Sequence, residues 1–138
     1  MANSGYLRNA LKRLLISTLG YMKITIWILI AIFLLSGVLH LANPDSFRWL
    51  MPPWLPEPIL LIYLSGVFEL VCAIGLLFKQ KWAGWLTALT LIAIWPANIW
   101  YAFSVIPSED LGLITAAWLR LPLQIPLIYY SVKFARTK

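Results

Sequence analysis

Four long apolar segments are the feature that most constrains the fold of this 138-residue chain. They cover about residues 24–41, 59–78, 82–103 and 113–132, and each is close to the roughly 20 residues that a helix needs to cross a bilayer. Because unpaired backbone groups are too costly in lipid, such segments are expected to be helices. Only 12% of the residues are charged, against about 25% in soluble domains. The sequence therefore predicts an all-α, integral membrane four-helix bundle.

A basic amphipathic segment precedes the first apolar segment. Within residues 6–19 the apolar side chains share one helical face, and the basic side chains lie elsewhere around the helix. Gly20 and Lys23 argue against one helix that continues into the first span. We therefore divide the chain into residues 1–22, an N-terminal amphipathic helix on the inner leaflet, and residues 23–138, the four-helix domain. The alternative is a water-exposed extension of the first span.

The basic residues are unevenly distributed between the two sides of the predicted bundle. Arg48 is the only base in the connections on one side, and nine bases flank the other side. The nine are Arg8, Lys12, Arg13, Lys23, Lys79, Lys81, Lys133, Arg136 and Lys138. The positive-inside rule then predicts a multi-pass protein of the bacterial inner (plasma) membrane with both termini in the cytoplasm.

Two charged residues, Glu69 and Arg120, lie inside the apolar segments. An ionisable side chain inside a bilayer is costly unless it is paired or hydrated, and by default it marks a functional site. We expect these two side chains to pair with each other. The pair is either part of a ligand site or a structural link between the second and fourth helices, and the sequence leaves both roles open.

Further polar side chains fall at helical spacing on the four predicted spans. The rise of a helix places Glu69 and Gln124 about 15 Å from the basic side, and His40 and Asn98 about 25 Å from it. We predict that they converge on one polar cavity, which opens away from the basic side. The predicted ligand-binding residues are Glu69, Arg120, Gln124, Asn98, His40, Ser65, Trp95 and Tyr101. Asn98 and Gln124 could instead be interhelical hydrogen-bond partners, and His40 a water-exposed imidazole near the interface.

Prolines shape one connection and two of the spans. Pro44, followed by Asp45 and Ser46, predicts a short helical turn over residues 46–51. The connection around this turn is either a lid over the bundle mouth or a rigid connector. We also expect Pro96 to break the third helix, and two further prolines to break the fourth. Each proline leaves a carbonyl one turn earlier without its donor, which Asn98, Gln124 or a water could replace.

Several chemistries are excluded by composition. A single cysteine, Cys72, and a single histidine, His40, exclude an intrachain disulfide, a Cys-x-x-Cys pair and a Cys/His metal cluster. No haem axial pair or flavin fingerprint is evident, so no cofactor is predicted from the residues beyond a bound quinone or lipid. The net charge of +6 is interpreted as topology signals and lipid contacts, and no nucleic-acid surface is expected.

The order of several short motifs resembles the DoxX-like family of small four-helix membrane proteins. The motifs are Ser36-Gly-Val-Leu-His40, Asn43-Pro44, Met51-Pro-Pro-Trp-Leu-Pro56, Tyr63-Leu-Ser-Gly-Val-Phe-Glu69, Gly75-Leu-Leu77, Trp95-Pro-Ala-Asn98 and Arg120-Leu-Pro-Leu-Gln124. They extend over about residues 24–132 and leave residues 1–22 outside. The resemblance implies the four-helix fold. It implies little about activity, because some relatives are linked to thiosulfate:quinone oxidoreduction, some to stress-related membrane complexes and others to maturation of partner proteins. Dithiol chemistry does not carry over to a chain with one cysteine.

Residues and resemblance together predict a small inner-membrane protein that binds a quinone or lipid-like amphiphile. The ligand would occupy the polar cavity around Glu69 and Arg120, with Trp95 and Tyr101 in an aromatic wall. The alternative is a non-catalytic membrane subunit or assembly factor for a partner protein or redox complex. The expected partners are the lipid bilayer and either a membrane protein or a second copy of the chain. Whether the protein is an enzyme stays open.

Overall fold

The computed structural model describes residues 4–137, apart from the side chain of Thr18. Its four long helices are α1 (Ser4–Ala42), α2 (Pro58–Leu77), α3 (Lys81–Ser104) and α4 (Leu111–Arg136). A 3₁₀ helix over Pro44–Leu50, named the cap helix here, lies between α1 and α2, and a shorter one over Ile106–Ser108 precedes α4. No strand occurs in these residues. All four long helices are long and apolar enough to cross a membrane, so the predicted all-α fold and its four apolar helices are confirmed.

Helix α1 differs most from the prediction. It is continuous for 39 residues and passes through Gly20 and Lys23, so the expected break between an amphipathic helix and the first span is wrong. One glycine costs a helix only about 1 kcal/mol, and the leucines and lysines on either side are good helix formers. At 1.5 Å per residue α1 is about 58 Å long, roughly twice the length of α2. Among the side chains of α1 that the structure describes, the first buried one is Met22, and the preceding turns extend beyond the bundle.

The helices pack as two antiparallel hairpins, α1 with α2 and α3 with α4, and α2 packs against α3 to join them. Glycines let the backbones approach closely within each hairpin. A Cβ atom on Gly37 would lie 2.9 Å from the backbone oxygen of Gly66, and a Cβ on Gly84 would lie 2.6 Å from that of Ser131. The contact at Gly84 is the tighter of the two.

The two ends of the bundle differ in charge. The basic end, as it is called here, contains the end of α2, the start of α3 and the end of α4, with Lys79, Lys81, Lys133 and Arg136. Met22 of α1 reaches this end, where its Sδ atom lies 4.0 Å from the Thr137 hydroxyl. The cap end, at the opposite side, contains the cap helix and the α3–α4 connection. The predicted grouping of the bases is therefore matched by the packing.

The prolines within the helices do not break them. Pro96 lies inside α3, and Pro122 and Pro126 lie inside α4, and both helices are continuous. The predicted breaks are wrong because neighbouring helices can supply donors to carbonyls that a proline leaves unpaired. Gln124 of α4 donates close to this point, where its Nε2 atom lies 2.7 Å from the backbone oxygen of Leu91, the residue before the carbonyl that Pro96 leaves without its helical donor.

Candidate functional site

A carboxyl group is buried between α1 and α2 near the cap end. Glu69 of α2 is only 3% exposed. Its Oε1 atom accepts a hydrogen bond from the Ser65 hydroxyl, one turn earlier, at 3.0 Å, and the Ser36 hydroxyl of α1 also approaches the carboxyl. Its Oε2 atom lies 3.4 Å from Nδ1 of His40. Glu69, His40 and the two serines are called the His–Glu cluster below.

The hydrogen bonding within this cluster is incomplete. Nδ1 of His40 and Oε2 of Glu69 are both buried, and neither has a hydrogen-bond partner among the described residues, although they face each other. Most buried polar side-chain atoms in native proteins have a partner, and an unmade hydrogen bond costs about 1–3 kcal/mol. The imidazole nitrogen and the carboxyl oxygen therefore both retain unused hydrogen-bonding capacity, side by side between the apolar helices α1 and α2.

The cap helix covers this point. The ring of Phe47 stands edge-on against the His40 imidazole, with centroids 4.4 Å apart and an interplanar angle of 86°. On the other side, His40 packs against the bare backbone of Gly66, where an added Cβ would lie 2.9 Å from the His40 Cβ. The imidazole is thus held between a glycine of α2 and an aromatic ring of the cap. Its side chain keeps 14% exposure.

Arg120 occupies a different part of the molecule. Its guanidinium carbon lies 5.7 Å from the ring centroid of Tyr101 on α3, and the side chain is exposed on α4. The predicted pairing of Glu69 with Arg120 is therefore wrong, because Glu69 faces α1 and Arg120 contacts α3. Tyr101 is itself buried, and its ring lies 4.7 Å from that of Trp49 in the cap helix.

Asn98 and Gln124 link α3 and α4. The Asn98 amide donates to Oε1 of Gln124 at 3.3 Å, and the Gln124 amide donates to the Leu91 backbone oxygen at 2.7 Å. Gln124 is 4% exposed and acts as both donor and acceptor, which is what an interhelical hydrogen-bond link requires. The structure therefore matches the alternative interpretation of these two residues. Trp95, which lies on α3 like Asn98, has a buried Nε1 atom without a hydrogen-bond partner.

The eight predicted ligand residues thus form two groups. His40, Ser65 and Glu69 lie between α1 and α2, and the remaining five, Trp95, Asn98, Tyr101, Arg120 and Gln124, lie on α3 and α4. The cap helix touches both groups, through Phe47 on His40 and Trp49 on Tyr101. Phe47 was missed as a site residue. Its signal was an apolar side chain within the otherwise polar stretch from Asn43 to Arg48, which favours inward packing.

Cys72 is a packing residue of the α2–α3 contact. It has no exposed surface, and its sulfur lies 3.7 Å from the Thr90 hydroxyl. Within residues 4–137, no three His, Cys, Asp or Glu side chains come close enough together to hold a metal ion.

One comparison with known proteins gives a match. The sequence profile of a family described as "Domain of unknown function (DUF8561)" matches residues 29–135. This range contains the cap helix and both groups of polar residues. No curated protein and no solved structure matches the sequence.

Proposed function

The chain belongs to the DUF8561 family, and from its buried His–Glu cluster we propose that it binds a quinone or lipid-like amphiphile at the cap end of a membrane-embedded bundle. The observation that carries the proposal is the facing pair of Nδ1 of His40 and Oε2 of Glu69, both buried and both without a hydrogen bond. A ligand carbonyl could accept from the imidazole, and a ligand hydroxyl could donate to the carboxyl. The surrounding apolar helices suit the ligand's hydrocarbon part.

The cap helix is the proposed lid of this site. Its Phe47 ring packs against the imidazole, and the connection that carries this ring contains only short helical turns. Movement of the Phe47 ring away from His40 would open the cluster towards the cap end. Trp49 extends the same short helix to Tyr101, beside Arg120. A ligand headgroup that displaces Phe47 would therefore lie near a guanidinium as well.

The proposed setting is the bacterial inner membrane, with the basic end in the cytoplasm. Its support is the charge distribution, because Lys79 and Lys81 lie at the same end as Lys133 and Arg136, and cytoplasmic ends of membrane proteins are enriched in such bases. The cap end would then face the opposite side. A kinship with DoxX-like proteins is proposed on the motifs alone, and it is compatible with a four-helix bundle and a glutamate in α2.

Ligand retention tests the proposal. The protein, extracted in mild detergent, is examined by native mass spectrometry and by organic extraction of bound small molecules. Wild type is expected to carry a quinone or lipid-like molecule that Glu69→Gln loses, because the amide changes the acceptor that faces His40. Glu109→Gln, at an exposed glutamate of the α3–α4 connection, is the matched control and should keep the molecule. A wild-type protein without any such molecule, or equal retention in Glu69→Gln, would overturn the proposal.

A subunit or assembly factor is the second candidate function, and α4 favours it. This helix exposes large apolar side chains, including Leu119, Leu123 and Ile125 at 54–58%, and the exposed guanidinium of Arg120 lies among them. A charge on a lipid-facing helix is costly unless it meets a counter-charge, which an acidic residue of a partner protein could supply. Co-purification of one stable partner, lost in Arg120→Gln and kept in Glu69→Gln, would favour this function over ligand binding.

A further inference from the structure

We infer that the basic end of the bundle carries a second, separate site, which binds one anionic phospholipid. It is a groove of about 220 Å³ between α1, α2 and α4. Its residues include Met22, Lys23, Trp27, Leu76, Lys79 and Phe134. The groove lies at the opposite end from the His–Glu cluster, shares no residue with it, and needs no part of the function proposed above.

The floor of the groove is apolar and preformed. Met22, Ile26 and Ile30 follow one another at four-residue spacing on α1, so they share one helical face, and each is at most 8% exposed. Leu76 of α2 and Phe134 of α4 form the sides. The volume is below the roughly 300–1,000 Å³ of sites for whole small molecules. It suits a segment of an acyl chain whose remainder lies in the bilayer.

The mouth of the groove is basic. Lys23 of α1 and Lys79, just after α2, both line it and both are exposed. Trp27, one turn after Lys23, is 62% exposed beside them, as expected for an aromatic side chain at headgroup level. Basic pockets between membrane helices bind anionic lipid headgroups. Two ammonium groups above an apolar groove therefore fit a phosphate-bearing headgroup above its own acyl chain.

The backbone conformation at Lys79 is an independent indication that this side chain has a functional role. Helix α2 ends in a Schellman motif, in which the Lys79 and Gln80 amides donate to the Leu76 and Gly75 oxygens at 3.0 and 2.9 Å. Lys79 holds the left-handed position of this motif, with φ of 55°. Glycine is the usual residue there because a Cβ is disfavoured. A lysine in this position keeps a strained backbone and gains a charge at the groove.

Because of this strain, one substitution, Lys79→Gly, removes the charge and also relieves the unfavourable backbone conformation. Lys79→Gly should leave the end of α2 at least as stable as in wild type, whereas loss of lipid binding in this variant would follow from the missing ammonium. Lys79→Gln removes the charge without changing the backbone preference. Lys81→Gln is the matched control, because Lys81 lies two residues further along the same connection and does not line the groove.

The experiment titrates the delipidated protein in mild detergent with phosphatidylglycerol, or with phosphatidylcholine of the same acyl chains, and counts bound lipids by native mass spectrometry. Wild type should bind one phosphatidylglycerol more tightly than phosphatidylcholine. Lys79→Gly and Lys79→Gln should each weaken that binding about fivefold, the effect of one lysine near a charged headgroup. Lys81→Gln should bind as wild type does, and melting temperatures should show that every variant is folded.

Three results would overturn the inference. The first is equal binding of the two lipids by wild type. The second is an equal loss in Lys81→Gln, which would mean that the general charge of the basic end, and no particular site, attracts the lipid. The third is a dimer that forms without lipid and dissociates in Lys79→Gln, which would make the groove a contact between two copies. Because Glu69→Gln should leave phosphatidylglycerol binding unchanged, failure here is distinguishable from failure of the function proposed above.

Discussion

Each helical hairpin contains a polar pair with one buried member, Gln124 or Glu69, but the two pairs differ in their hydrogen bonds. Between α3 and α4, Gln124 accepts from Asn98 and donates to the Leu91 backbone oxygen. Between α1 and α2, His40 and Glu69 approach to 3.4 Å, yet the facing atoms form no hydrogen bond. One pair is complete within the protein. The other keeps unused hydrogen-bonding capacity beneath a short, separate cap helix.

This difference separates a structural role from a binding role. A buried amide whose hydrogen bonds are made within the bundle stabilises the packing of its helices, and removing it leaves its partners unpaired. On the function proposed above, the facing acid and imidazole, whose hydrogen-bonding capacity is unused, contribute less to the fold and are available to a ligand. The α3–α4 hairpin should therefore be the more sensitive of the two to substitution. The predictions below test that expectation on the free energy of unfolding, measured by reversible denaturation in mixed micelles.

The largest effect is expected at the closest backbone contact of the α3–α4 hairpin. In Gly84→Ala the new Cβ would lie 2.6 Å from the Ser131 backbone oxygen, so the helices must move apart. Overpacking of this kind costs about 1–3 kcal/mol. The control is Gly20→Ala in α1, where no atom lies within 4 Å and the better helix former should raise stability by up to about 1 kcal/mol. A Gly84→Ala protein as stable as wild type would show that this contact is looser than described.

The next largest effect is expected at Gln124. Gln124→Leu keeps a side chain of similar size but leaves the Asn98 amide without its acceptor on Gln124 and the Leu91 oxygen without its side-chain donor. Buried unpaired groups cost about 1–3 kcal/mol, and interhelical hydrogen bonds in membrane proteins are worth about 1 kcal/mol, so we expect a loss of about 1–2 kcal/mol. In a double-mutant cycle with Asn98→Ala the two losses should not add. Strict additivity would mean that the two side chains do not stabilise each other.

The smallest effect is expected at Arg120. Arg120→Gln removes an exposed guanidinium whose ring contact with Tyr101 has a centroid distance of 5.7 Å. Exposed cation–π contacts contribute about 0.5–1 kcal/mol, and the glutamine stem retains part of the packing, so we expect a loss of about 0.5 kcal/mol. A loss of stability as large as that of Gln124→Leu would indicate that Arg120 has a buried charged partner. That result would support the sequence-based expectation that Arg120 takes part in an ion pair.

The sequence predicted the elements of the fold well. Hydropathy gave four helices because spans of about 20 apolar residues have few other structures in lipid. The turn around Pro44 was predicted from its proline and Asp45, and the structure has it as the cap helix over Pro44–Leu50. These features depend on local sequence.

The sequence did not predict which faces of the helices meet. Helix α2 is apolar all round, so its exposed Val67 and Val71 are no more polar than its buried Ile62 and Ala73. Without an amphipathic pattern the rotation of a helix in its bundle cannot be derived. Glu69 was therefore assigned to Arg120 when its neighbour is His40, and two groups of polar residues were merged into one cavity. The continuity of α1 through Gly20 was missed because local helix formers outweighed a single glycine.

The most direct test of the contrast between the two hairpins is the stability of Glu69→Gln beside Gln124→Leu in the same micelles. The amide of Glu69→Gln can still accept from Ser65, and it keeps the size of the side chain that it replaces. The account predicts that its free energy of unfolding stays within about 0.5 kcal/mol of wild type, while Gln124→Leu loses about 1–2 kcal/mol. An equal or larger loss in Glu69→Gln would contradict the account, because the His–Glu cluster would then stabilise the bundle as the Asn98–Gln124 pair does.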